Sequence, residues 1–229
     1  MSYTEVVLLS IFLVMFLGII LRDRKSIEFK YGIILKKTKR GIKLIDKIAS
    51  KHRNTLKLLG IFSIIVCFLA SFYGLFYLFN TLYQTFWKPT EVIPSVKVLL
   101  PAIPGIKMPE FVWGMPILYW IIAVFVVVSV HEPLHALFAR VEKVKVKDMG
   151  LIFFGILPIG AFANPEEKEV EKLKPIQKMR IYAAGSFGNF IAFVIITFLI
   201  LKPVEHFLVF SIDYNSTIEG TPANKVGLQ

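Results

Sequence analysis

Residues 111–139 read FVWGMPILYWIIAVFVVVSVHEPLHALFA, and this stretch decides the fold. No charged residue occurs before Glu132, and the run is long enough for a helix to cross a bilayer, which takes about 20 residues. Three further runs have the same character: Val6–Leu21, Leu58–Leu82 and Ile181–Leu201. The first is closed by Arg22, Asp23 and Arg24. Basic residues follow it rather than precede it, which is the reverse of a signal peptide, so it reads as a retained span. The chain has 229 residues, of which 55% are hydrophobic and 21 are Phe, above the share of a soluble domain. The sequence therefore predicts an all-α polytopic membrane protein with about four transmembrane helices and a short re-entrant β-hairpin. The lone cysteine, Cys67, excludes a disulfide framework and any multi-cysteine metal or iron–sulfur site.

Charge gives an orientation. The net charge is +11, and residues 22–57 alone hold thirteen Lys/Arg against Asp23, Glu28 and Asp46. A basic excess between two spans marks the cytoplasmic side and suits contact with anionic lipid. The segment has few aromatics and no nucleic-acid motif, so no nucleic-acid partner is expected. Placing loop 22–57 in the cytoplasm puts the N-terminus outside, 88–110 outside, 140–180 inside and the tail outside. The nine Lys/Arg from Arg140 to Arg180, against six acids, agree in sign.

Two connections carry more than loop sequence. Residues 89–109 contain Pro89, Pro94, Pro101, Pro104 and Pro109 and predict an extended segment at the outer face. Residues 150–163 are apolar but too short to span, with Gly150, Gly155 and Gly160 at intervals of five and Pro158 against a helix. A re-entrant or interfacial hairpin fits, because irregular backbone at membrane depth must be buried in protein or line a cavity. Glu166–Lys178 reads as a charged amphipathic helix. Domain boundaries follow: 1–87 with two spans and the basic loop, 88–201 as the core, and 202–229 as the start of a further unit.

The chemistry lies in His131-Glu132-Pro133-Leu134-His135, which is H-E-x-x-H. Histidines four apart on a helix share a face and can hold one metal ion. Glu132 sits about 100° round from His131 and 60° from His135, within reach of a water at that metal without being forced to ligate it. Such a zinc site takes three protein ligands, acidifies a water and polarises a carbonyl, while the glutamate carries the proton. With this composition the motif arises by chance in roughly 0.004 cases. Ionisable residues inside an apolar span are costly unless paired or ligated; a purely structural polar cluster bonded to neighbouring helices is the alternative. Pro133 removes the bond to the Ser129 carbonyl and predicts a kink. His52 and His206 fall far from the motif and read as surface residues.

A second signal joins the first. Ala184-Gly185-Ser186-Phe187-Gly188-Asn189-Phe190 resembles the A-G-P-x-x-N-F motif of the site-2 protease family of intramembrane zinc metalloproteases, with Ser186 where that family usually has proline. Gly155-Ile156-Leu157-Pro158-Ile159-Gly160-Ala161-Phe162 resembles its re-entrant hairpin, and Glu219–Leu228 is similar to the start of a PDZ domain. The resemblance covers roughly residues 111–229. It implies that His131 and His135 ligate one zinc ion, that Glu132 is the catalytic base, and that Asn189 faces the site and helps bind substrate backbone or the oxyanion. The bland alternative for Asn189 is an amide bonded across a helix interface. The hairpin, through Ile159 and Gly160, is expected to pair with an unwound stretch of a membrane-protein substrate.

One feature departs from the family. Its third ligand is an aspartate in an L-D-G motif on a later span, whereas Asp23, Asp46, Asp148 and Asp213 all lie outside the spans here. The expectation is an N-terminal portion of a longer protease with an incomplete metal site. Two alternatives stand beside this one. The first is a membrane zincin with a glutamate ligand, for which Glu166, Glu167, Glu169 and Glu171 are the candidates, and the second is a non-catalytic membrane scaffold. Asn215-Ser216-Thr217 is a glycosylation sequon on the expected outer side.

Overall fold

A computed structural model describes residues 7, 10, 11, 14, 18, 26–30, 32–39, 41–87, 97–102, 107–155 and 157–203. The expected span Val6–Leu21 lies outside these residues but for five positions, and the PDZ-like tail and the sequon lie outside them altogether. The chain divides into two compact units, Met1–Ala192 and Phe193–Gln229.

The elements run in this order: β1 (Ile27–Lys30), β2 (Ile33–Thr38), α1 (Ile42–Lys51), α2 (Arg53–Trp87), β3 (Val98–Pro101), β4 (Val112–Met115), α3 (Ile117–Val141), β5 (Val146–Phe154), β6 (Leu157–Pro165), α4 (Glu167–Glu171) and α5 (Pro175–Ile195), continued by a π-helical stretch, Ile196–Leu201. Three helices are long and apolar enough to cross a membrane: α2, α3 and residues 175–201. At about 1.5 Å per residue, the 35 residues of α2 outreach a hydrocarbon core of about 30 Å, so its ends belong to the interfaces. Those ends differ in chemistry. Arg53 and Lys57 stand at the first, and Tyr83 stacks on Trp87 at 5.5 Å at the last, so one flank is basic and the other aromatic. Phe68, Phe72, Tyr73 and Phe76 along α2 are exposed, as side chains facing lipid would be.

The all-α expectation is corrected: the described residues are mostly helical but carry six strands in two sheets. The larger sheet has the order β1-β2-β5-β6, antiparallel throughout; the smaller pairs β3 with β4 in parallel. The basic segment 22–57 is thus a hairpin and a helix rather than a plain loop. The reason is non-local. β2 lays Leu35 opposite Ile152 and Thr38 opposite Met149, so the hairpin is built onto a strand more than a hundred residues downstream. Across the hairpin Lys37 donates to Glu28 at 2.6 Å, and that bond holds the ammonium's pKa above its usual value.

The hairpin read at 150–163 is longer than expected, spanning β5 and β6, and it turns at Gly155, whose φ of 57° suits a residue without a Cβ. Pro116 precedes α3 with ψ of 135°, which converts 112–115 to strand and starts the helix at Ile117 rather than Phe111. Pro175 opens α5 and divides the expected 166–178 helix into α4 and the first turn of α5.

The core lies at the C-terminal end of α3. Ala136, Phe138 and Ala139 pack with Ile45 of α1, Val146 of β5, Val170 of α4, and Ile181 and Ala184 of α5. The motif helix is therefore clamped just beyond His135.

Candidate metal centre

His131 and His135 project from one face of α3, their rings 4.7 Å apart between centroids and inclined at 74°. The face opposite belongs to α5, where Ile181, Gly185 and Asn189 stand at intervals of four and so form one stripe. Two helices running in opposite directions bring the stripes into register. His135 Nδ1 meets the Ile181 carbonyl oxygen at 2.7 Å, and Asn189 Nδ2 lies 2.9 Å from His131 Nδ1.

These bonds fix what the histidines can do. A carbonyl only accepts, so His135 carries its proton on Nδ1 and leaves the Nε2 lone pair free. Asn189 Oδ1 is buried without a partner. An amide has the same shape turned over; with Oδ1 on His131 the proton sits on His131 Nδ1 too, and the buried position without a partner passes to the Nδ2 donor. Both Nε2 atoms then face the gap beside Gly185 with their lone pairs free.

Gly185 makes the gap. A Cβ there would lie 2.6 Å from His131 Nε2 and closer still to His135 Nε2. Zinc–nitrogen bonds are about 2.0–2.1 Å, so the space a methyl would fill is near the reach of both nitrogens at once. The two histidines thus fit a metal ion as a pair. Among the described residues no third His, Cys, Asp or Glu joins them. Asp148 bonds Asn164 Nδ2 at 3.1 Å. Of the glutamates weighed as ligands, Glu166 pairs with Lys147 and Glu169 accepts from the Lys145 amide.

Glu132 stands between the histidine face and the sheet, and its Oε2 accepts the Ala163 amide at 2.7 Å. That bond also sets the polarity of β6. Ala163 lies opposite Met149, yet its N–H points away from β5, toward α3. Ala161, two residues back and opposite Leu151 with no bulge between, has the same phase, so its backbone groups also face the open edge. Gly160 pairs with Ile152, whereas Ile159 falls at the bulge and has no ladder partner. The β6 edge therefore presents unpaired backbone beside the motif helix.

Pro133 lies within α3 and, with Ser129, lines an open cleft of about 800 Å³ between that helix and the sheet. Ser186, where the resembling motif has proline, is exposed on α5 and away from the histidines. Gly188 lets α5 close on α3, since a Cβ there would collide with Leu134. The histidines, Glu132 and Asn189 were legible in the sequence. The Ile181 carbonyl and the Ala163 amide were not, because backbone groups leave no residue-type signal.

Residues 119–223 match the model of peptidase family M50, the site-2 protease family. The match takes in the motif helix, both strands of the hairpin and the Asn189 helix. The chain is also similar to a protein of Methanocaldococcus jannaschii described as uncharacterized, 28% identical over 199 residues, which are 85% of this chain and 50% of that protein. The chain therefore spans about half the length of the curated relative it matches. No solved structure matches it.

Proposed function

We propose that this chain is part of an intramembrane zinc metalloprotease that cuts peptide bonds in or near membrane-spanning segments of other proteins. The observation that carries the reading is the convergence of His131 and His135 Nε2 on the gap at Gly185, with Glu132 alongside, inside an apolar helix. The match to a peptidase family supports it. His131 and His135 hold the zinc, Ile181 and Asn189 fix their rings, and an acidic residue outside the described part completes the site. When bound, zinc supplies Lewis-acid polarisation of the scissile carbonyl and acidifies a water to a pKa of about 7. Glu132 would take a proton from the attacking water and deliver it to the leaving amine, and the Ala163 amide keeps one carboxylate oxygen fixed while leaving the other free for that role. The Asn189 amide, once its oxygen sits on His131, has an N–H free for the oxyanion.

A helical substrate hides its carbonyls in i→i−4 bonds and must unwind before it is cut. The β6 edge, through Ile159, Gly160 and Ala161, receives the unwound strand and replaces the backbone bonds that lipid cannot supply. The bilayer is the surrounding medium, with loop 22–57 on the cytoplasmic side and the N-terminus outside.

The test is turnover of a transmembrane substrate co-reconstituted in liposomes with the full-length protein. Glu132→Gln is expected to keep zinc and lose cleavage by at least about 1000-fold, and cleavage at the wild-type rate overturns the assignment. Ala161→Pro and Ile159→Pro are expected to slow cleavage about tenfold or more with zinc retained. Unchanged rates would rule out strand addition at this edge.

A further inference from the structure

β3 and β4 pair at the end of α3 remote from the histidines: Val98 lies opposite Val112, Leu99 opposite Trp113 and Leu100 opposite Gly114. Side chains alternate along a strand, so Val98 and Leu100 project from one face and Leu99 and Trp113 from the other. Both faces are apolar and both are open. Val98 and Leu100 are 53% and 42% exposed, Leu99 and Trp113 40% and 67%. A sheet packed on a core with its other face in water combines an apolar face with a polar one, and this sheet has no polar face. Phe111, just before β4, and Tyr119, in the first turn of α3, are exposed as well, which carries the apolar surface from the sheet onto the span. We propose that this two-stranded sheet is a membrane anchor, immersed in the headgroup layer of the bilayer at the N-terminal end of α3 with lipid against both faces.

Two limits fix the depth. In water the sheet would leave both apolar faces exposed. In the hydrocarbon core its outer edges, which no third strand joins among the described residues, would leave backbone N–H and C=O groups with nothing to bond, and open edges do not occur there. Lys97, Lys107 and Glu110, all exposed, border the strands and are costly at that depth too. The headgroup layer meets both demands: water and phosphates take up the edge groups and the charges, and the upper acyl chains take up the side chains. It is also where tryptophan is enriched, as an apolar ring with one N–H to satisfy. The occupant of this surface is the bilayer because the surface is continuous with α3, which is long and apolar enough to cross it. An anchor at this level sets the depth of the motif. His131 stands about 21 Å along α3 from Ile117, at about 1.5 Å per residue, past the middle of a hydrocarbon core about 30 Å thick. The anchoring requires only that α3 crosses a membrane, and it holds whether or not the chain is a peptidase.

Fluorescence of the chain reconstituted in phosphatidylcholine liposomes tests it. W87F/W120F leaves Trp113 as the last of three tryptophans. Bromine on the acyl chains near the headgroup is expected to quench it at least about twofold more than bromine near the chain ends, and iodide in the water at least about fivefold less than it quenches free tryptophan. Stronger quenching by the deep bromine overturns the headgroup level. Quenching by iodide as for free tryptophan overturns the anchor in favour of a lobe in water. Shielding from bromine and iodide alike overturns it in favour of a protein cover, from a second copy or from residues outside the described part. A spin label keeps the test independent of the tryptophan replacements. Leu99→Cys and Leu100→Cys, one on each face, are made in a Cys67→Ala background, and each nitroxide should collide more with oxygen, which concentrates in lipid, than with a water-soluble nickel chelate. A preference for the chelate at either position overturns the immersion of both faces.

Discussion

Position 185 shows how much of a metal site can depend on a missing side chain. His131 and His135 are held four apart by their own helix, but their Nε2 atoms have room for an ion only because α5 offers hydrogen there. Gly185→Ala would set its methyl 2.6 Å from His131 Nε2 and 2.7 Å from its Cδ2, and against His135. It should lower zinc affinity at least about tenfold while helix content by circular dichroism stays unchanged; zinc content equal to wild type would show that the gap is not the ion's place. Asn189 acts through His131. Asn189→Leu keeps the volume but loses the bond to Nδ1, and zinc affinity should fall about 10–100-fold by competition with a chelator. Of these residues the histidines and Glu132 could be read from the sequence, because i, i+4 spacing fixes their geometry whatever the fold. Gly185 could be read only as a small residue suited to close helix packing. What it makes room for depends on which helix lies opposite.

At the scale of elements, the C-terminal end of α3 is fastened by polar contacts to the helices around it. Glu142 and Arg180 form an ion pair at 2.9 Å, their side chains 0% and 10% exposed, and Gln177 donates to the other Glu142 oxygen at 2.7 Å. Arg53 donates to the Val141 carbonyl at 2.9 Å, and Arg140 pairs with Asp46 of α1. Gly60 of α2 makes room for this arrangement, since a Cβ would come within 2.7 Å of the Arg180 stem and 2.8 Å of Phe138. Removing one partner of a buried pair strands the other. Glu142→Leu should cost about 3–5 kcal/mol, and Glu142→Leu with Arg180→Met should recover most of it, measured by thermal unfolding in one detergent. A single variant no less stable than the double would show that the pair is not buried in the membrane-embedded protein. Arg140–Arg180 was legible as a basic stretch, but charge counting cannot separate lysines in water from a buried arginine. The hairpin at 27–38 was missed for a related reason. Its lysines dominated the reading, and its partner strand lies more than a hundred residues away, beyond any local pattern.

At the scale of the whole molecule, the proposed zinc site needs more than the pair of histidines. Catalytic zinc takes three protein ligands, and among the described residues only two converge. The core that holds them is formed within residues 45–184, with Phe138 and Ala184 buried. The 229-residue chain, covering half of its archaeal relative, is therefore expected to purify with well under one zinc per chain. His135→Ala should remove even that, and a form extended to the relative's length should carry about one, by elemental analysis after dialysis. Stoichiometric zinc in the 229 residues would place the third ligand among positions not described here, Asp23 and Asp213 included, and would overturn an aspartate on a later span. Zinc absent from both forms would leave His131, Glu132 and His135 as a structural cluster, bonded to Ile181, Asn189 and Ala163 and needing no ion. The bonds to the ring Nδ1 atoms argue the other way: they leave both Nε2 atoms directed at the gap beside Gly185.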